Sequence, residues 1–283
     1  MGALFALLSS VIWGAADFLG GTVSRRARPV AVVASSQAAS LLLVVPVVLL
    51  TGAYHANHGY VPWAIAAGLV GMVSLVAFYS ALSIGTMGVV APIAATGAVV
   101  PVAIGLIQGE RPAPVQLFGI ALAVIGVVLA SGPELRGVER HEARGGVRAL
   151  ALALLSAVGF GLVLWLIAEG SKYDVAMTML TQRTASVTVL LVLFAFTRSA
   201  GGLTPADSWQ ILLVGSGDVM ANGLYALSTR SGLVSLVAVL GSLYPVTTVL
   251  LARAVHGERL RAIQNAGVAT ALLGVVLIGA GGL

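Results

Sequence analysis

The sequence predicts an all-α integral membrane protein of ten transmembrane helices, folded as two inverted five-helix repeats. Three observations predict it: composition, the lengths of the apolar runs, and an internal duplication. Of 283 residues, 59% are hydrophobic and only 9% charged, with a mean hydropathy of +1.04. An ordinary soluble domain carries about 25% charged residues. A soluble fold of this size cannot hide so much apolar surface, so the solvent for most of the chain is lipid.

Polar punctuation cuts the chain into ten apolar runs: 3–22, 30–51, 62–82, 88–107, 114–131, 148–168, 176–197, 208–228, 233–252 and 263–282. Each is close to the roughly 20 residues that a helix needs to cross hydrocarbon. A β-barrel would show segments of about 10 residues alternating in polarity. These runs are longer and do not alternate. The stretch from Met1 to Gly21 has no basic region at its start and reads as a first span rather than a cleaved leader.

The two halves repeat each other. Gly109-Glu110-Arg111 is followed by Gln116, Gly119 and Gly126-Val127-Val128-Leu129. Gly257-Glu258-Arg259 is followed by Gln264, Gly267 and Gly274-Val275-Val276-Leu277, with the same spacing. Leu7-Leu8-Ser9 and Trp13-Gly14 of the first run align with Leu154-Leu155-Ser156 and Phe160-Gly161 of the sixth. Ser36-Gln37 aligns with Thr181-Gln182. Trp63, Gly71 and Tyr79 align with Trp209, Gly217 and Tyr225. The expected organisation is a first repeat over 1–132, a charged linker over 133–147, and a second repeat over 148–283. Five spans per copy is an odd number, so the second copy enters the membrane inverted. Inverted repeats are the architecture of many secondary transporters, whose halves exchange conformations around a central site.

With these residues the chain resembles the ten-helix members of the drug/metabolite transporter superfamily, built of two EamA-type repeats. The resemblance rests on Trp13-Gly14, the two Gly-Glu-Arg motifs, and Pro245, thirteen residues before Glu258. It covers essentially the whole chain. It implies a basket of helices around a central cavity and transport of small metabolites, often the export of amino acids. Arg183 matches an arginine common in the seventh helix of that family, while Ala38 stands at the equivalent position in the second. The first repeat has no proline matching Pro245, only Pro92 and Pro101 on either side.

Orientation is read from the arginines. Odd-numbered loops hold Arg25, Arg26, Arg28, Arg136, Arg140, Arg144, Arg148, Arg198, Arg253, Arg259 and Arg261. Even-numbered loops hold Arg111, Lys172 and Arg230. The positive-inside rule then puts both termini outside, whereas the family resemblance implies termini inside. Both orientations stay open at this point. The net charge of +5 is explained by these loop residues; no segment has the concentrated basic face that nucleic acid requires.

Ionisable side chains within the runs are the functional candidates, because each costs roughly 2.5–3.5 kcal/mol at the bilayer centre. Asp218 lies well inside the eighth span, and Asn222 and Tyr225 share its face at i+4 and i+7. Arg183 lies at a comparable level in the seventh span and is expected to reach Asp218, unless it snorkels to the interface. Asp17 follows Trp13 at i+4, a carboxylate beside an aromatic that suits a cationic or zwitterionic ligand. Gln37 and Gln182 form a pseudo-symmetric pair, as do Tyr79 and Tyr225, though Tyr79 also fits an interfacial anchor. Tyr244 precedes Pro245, where a kink or gate is expected. Substrate-site candidates are thus Trp13, Asp17, Gln37, Tyr79, Gln182, Arg183, Asp218, Asn222, Tyr225 and Tyr244. The Gly-Glu-Arg motifs read as polar caps at helix ends.

With no cysteine, thiolate chemistry is excluded. His55 and His58 share one loop, but the four histidines form no cluster with carboxylates, and no phosphate-binding Gly-rich loop occurs. No cofactor, metal, nucleic-acid partner or enzymatic activity is expected. The expected partners are a small metabolite, the bilayer, and protons as a coupling ion. Monomer and oligomer are both compatible with the sequence. The predicted function is secondary transport in the cell membrane, a bacterial inner membrane, with a non-transporting subunit or channel-like component as the alternative.

Overall fold

The computed structural model describes residues 2–131, 143–197, 201–257 and 262–280, and every regular element among them is a helix. Helices α1 (Gly2–Ser24), α2 (Pro29–Thr51) and α3 (Val61–Ile84) are the first three spans. The fourth is split into α4 (Met87–Ala95) and α5 (Val99–Ile107), joined by a 3₁₀ turn over Thr96–Ala98, and α6 (Pro114–Ser131) is the fifth. The second repeat follows as α7 (Ala143–Ser171), α8 (Val175–Thr197), α9 (Ser208–Thr229), a split ninth span α10 (Val234–Gly241) and α11 (Tyr244–His256), and α12 (Ala262–Ala280). Eight spans meet the length and apolarity that a bilayer demands among the described residues. Helices α6 and α12, of 18 and 19 residues, complete the ten.

The packing obeys the pseudo-twofold that the duplication requires. Helix α1 packs on α9, and its counterpart α7 packs on α3. Both pairs are antiparallel. Ser9 Oγ donates to the Ala221 carbonyl (2.7 Å) near one end of the first pair, and Arg26 pairs with Asp207 at the other. In the second pair Gly71 faces Val163 and Gly85 faces Ala149. Helices α6 and α12 pack on each other, as do α2 and α8, α4 and α11, and α5 and α10. Exchanging the repeats maps each contact onto itself or its counterpart.

The residues that announced the duplication build this scaffold. Gly119 and Gly126 on α6, and Gly267 and Gly274 on α12, are all buried, as close helix approach in lipid requires. Gly257 caps α11 with φ +68°, and Gly109 follows α5 with φ +95°. Both adopt the left-handed conformation that ends a helix and favours glycine. Glu110 Oε1 accepts from the Val234 backbone N–H (2.8 Å), capping the first half-helix of the other repeat's broken span. Glu258, Arg259 and Arg261 lie outside the described residues.

One sequence expectation is corrected. The runs 88–107 and 233–252 are broken helices rather than single ones, and the two breaks are equivalent. Each lies one turn before a proline: Pro101 has no N–H for the Gly97 carbonyl, and Pro245 has none for Gly241. Pro101 thus does in the first repeat what Pro245 does in the second, displaced by a few residues. Each break packs backbone to backbone on a glycine of the opposite repeat's first helix. A Cβ at Gly14 would strike the Tyr244 carbonyl, and one at Gly161 the Gly97 carbonyl. Thr248 Oγ1 also donates to the Gly14 carbonyl (3.0 Å). Helix α7 begins at Ala143, so the last residues of the linker continue into the first helix of the second repeat. Continuing the helix past the apolar run keeps its backbone groups paired as the chain leaves the hydrocarbon. The rest of that stretch, 132–142, lies outside the described residues.

Candidate functional site

A central cavity lies between the repeats, walled by the first three helices of each and by the α10–α11 break. It holds about 80 Å³ reachable by the centres of water molecules. At roughly 10–15 Å³ per water, this is room for a small solute.

Asp218 on α9 is the hub of its polar wall. Its Oδ1 accepts from Asn222 Nδ2 (2.8 Å), one turn on along the same helix, and from Trp13 Nε1 of α1 (3.3 Å). Its Oδ2 accepts from Gln37 Nε2 of α2 (3.4 Å) and stands 2.9 Å from Arg183 Nη2 of α8. Arg183 Nη1 in turn donates to Gln37 Oε1 (2.6 Å), which also accepts from Ser186 Oγ (3.0 Å). One network therefore ties together four helices from both repeats. Arg183 turns inward rather than snorkelling: it is 3% exposed. The reason is local. Gly68 of α3 has no side chain, so α3 sits directly against the Gln182 carbonyl of α8 and presses that helix to the cavity.

Polar capacity is left over. Asp17 is 8% exposed, lines the cavity, and has no hydrogen bond or ion-pair partner among the described residues. Gln182 Oε1, Tyr244 Oη and Arg183 Nε are also buried at the cavity without a hydrogen-bond partner. Buried polar atoms are nearly always paired, so these four groups are spare donors and acceptors on residues that line one space.

The opposite wall is apolar, and it is made by the pseudo-symmetric counterparts. Met72 stands where the second repeat has Asp218, Leu164 where the first has Asp17, and Phe160 where the first has Trp13. Behind this wall Phe78 meets Phe160, Tyr79 and Tyr244 at ring-centre distances of 5.4, 6.1 and 6.2 Å.

Of the ten candidate residues, eight line the cavity: Trp13, Asp17, Gln37, Gln182, Arg183, Asp218, Asn222 and Tyr244. Tyr79 and Tyr225 do not. Both are fully buried one layer further out, so Tyr79 is not an interfacial anchor. Tyr79 packs on Gly20, a turn beyond Asp17, and the Tyr225 ring lies tilted behind Trp13, with ring centres 5.7 Å apart. Helical spacing put Tyr225 on the face of Asp218, but α10 closes over it: Gly241 abuts its ring. Sequence reasoning did not find Ser186 or the apolar wall. Ser186 had a signal, since it follows Arg183 at i+3; Met72, Leu164 and Phe160 are visible only as the partners of Asp218, Asp17 and Trp13 in the repeat.

The repeat, the inverted packing and the cavity between copies agree with the family comparison. The EamA-like transporter family model matches residues 1–132 and 147–280. The chain belongs to the EamA-like transporter family. It is thereby an integral membrane protein of the drug/metabolite transporter superfamily, whose EamA members are transporters rather than enzymes. No curated protein matches this family member in sequence. A solved crystal structure of a protein superposes with a TM-score of 0.74 at 18% identity, covering 98% of this chain and 95% of that one. At that identity the likeness is one of fold.

Proposed function

We propose that this EamA-like protein is a secondary transporter that carries a small organic metabolite by alternating access, and that the central cavity is its substrate site. The observation that carries the reading is the set of unpartnered polar groups, Asp17 above all, on residues that line a cavity between inverted repeats. A structural network alone would satisfy its own members. Trp13, Asp17, Gln37, Gln182, Arg183, Asp218, Asn222 and Tyr244 then contact the substrate, with Tyr79 and Tyr225 holding Asp17 and Trp13 from behind. The moving parts are the repeats 1–132 and 148–283, joined by 133–147. The broken spans give each repeat a hinge, as in other carriers with discontinuous helices at matched positions. The direction is export across a bacterial inner membrane, with an amino acid or related amphipathic compound as cargo. Asp17 and Asp218 are the carboxylates placed to couple a proton.

The test is flux into liposomes that contain the purified protein, using cargo found by a metabolite thermal-shift screen, with and without a pH gradient. Saturable, cargo-dependent flux is expected, together with its loss in Asp218→Asn. Flux that rises linearly without saturation, or that needs no specific solute, sinks the carrier reading in favour of a channel-like component.

A further inference from the structure

Charge accounting at the cavity narrows the cargo. The ionisable side chains lining it are Asp17, Asp218 and Arg183. Arg183 and Asp218 neutralise each other at 2.9 Å, and Gln37 holds both. Asp17 is left as a carboxylate with no partner among the described residues, facing the cavity. An unpaired buried charge is costly and is relieved by a proton or by a counter-charge.

Two of the other spare groups point the same way. Gln182 Oε1 can only accept, and Tyr244 Oη can accept as well as donate. An ammonium group offers several N–H donors to such acceptors. Three aromatic rings, Trp13, Phe160 and Tyr244, line the same space, and ring faces attract cations. An anionic or zwitterionic cargo meets the opposite situation. Its carboxylate can take the spare Arg183 Nε, but Asp218 already neutralises that arginine, so the cavity is left with an unbalanced negative charge.

Resting on the transport reading above, and narrowing its cargo from the amino acid to the related amine, we infer that the cavity selects a small monovalent organic cation, an amine without a carboxylate, with Asp17 as the counter-charge. The apolar wall of Met72, Leu164 and Phe160 takes the hydrocarbon part of that amine.

Binding and flux test this separately. Purified protein is titrated by calorimetry with 3-methylbutylamine, with leucine (the same skeleton carrying a carboxylate), and with 3-methylbutanol (the same skeleton uncharged). Flux into liposomes is measured with butyltrimethylammonium, whose fixed charge prevents passive leak. The amine is expected to bind, with leucine and the alcohol weaker by at least tenfold. Asp17→Asn is expected to weaken amine binding about 30-fold or more, the loss typical of removing one partner of a buried charge pair. Asp17→Glu, which keeps the charge, should retain binding. It also serves as the folded control if the asparagine variant fails to purify, because loss of selectivity over the alcohol in Asp17→Glu would itself count against the assignment. Leucine binding as tightly as the amine, or amine binding indifferent to Asp17→Asn, overturns the inference while leaving transport intact. Absence of flux for every solute in a metabolite panel, with amine binding preserved, overturns the transport reading instead.

Discussion

Replacing Arg183 by methionine removes the cation paired with Asp218 and leaves a carboxylate in the membrane interior facing Trp13, Asn222 and Gln37. Breaking a buried ion pair from one side costs about 3–5 kcal/mol when the survivor is dry. Two features reduce the cost here. The Asp218 side chain is 17% exposed, toward the cavity, and the three neutral donors remain. A loss of about 2–3 kcal/mol is therefore expected for Arg183→Met. Asp218→Asn removes the other charge and leaves Arg183 with the Gln37 carbonyl oxygen, for a loss of about 2 kcal/mol. The double variant has no charge to strand, so it should be more stable than the sum of the single losses predicts, by about 1–3 kcal/mol. The assay is equilibrium unfolding of wild type and the three variants in bicelles, read as a double-mutant cycle. A coupling energy below about 0.5 kcal/mol would refute the pair as a unit and reduce the network to independent hydrogen bonds.

Gly14→Ala and Gly161→Ala should each destabilise by about 1–3 kcal/mol, because their new Cβ atoms meet the backbone of the opposite repeat's broken helix. Gly223→Ala, with nothing within 4 Å of the added carbon, should be neutral or slightly stabilising; thermal unfolding in detergent compares the three. Because the chain has no cysteine, single cysteines report topology directly. With the arginine-rich face inside, His58→Cys should react with an impermeant maleimide on intact cells and Ala206→Cys only after lysis, and the reverse pattern places the termini inside. Glu110→Ala removes the acceptor that caps α10 at Val234 and should cost about 0.5–2 kcal/mol, measured in the same unfolding assay.

The helices were legible because lipid makes the sequence code simple: an apolar run of the right length has no alternative to a helix. The repeat was legible because its glycines and Gly-Glu-Arg motifs do local work, closing helices and allowing close approach, and local work leaves fixed spacings. The broken fourth and ninth spans were less legible. Pro92, Pro101 and Pro245 are visible in the sequence, but membrane helices often tolerate proline unbroken. What separates Pro101 and Pro245 from Pro92 and from Pro46, which sits inside α2, is the glycine of the opposite repeat packed on the freed turn.

The sequence by itself determined that this chain crosses the membrane ten times, that its halves are inverted copies, and that Asp17, Arg183 and Asp218 must find partners or water. Each follows from a cost paid residue by residue in hydrocarbon. Only the tertiary structure decided how those charges pair. Arg183 and Asp218 lie in different helices and meet directly, with Gln37 of the other repeat holding both, whereas Asp17 has no partner among the described residues. It also decided that Tyr79 and Tyr225 stand behind the cavity rather than in it, because helical spacing fixes a face but not the element that closes over it. Which carboxylate is left over, and hence what charge the cavity asks for, is a property of the assembled repeats and of neither copy alone.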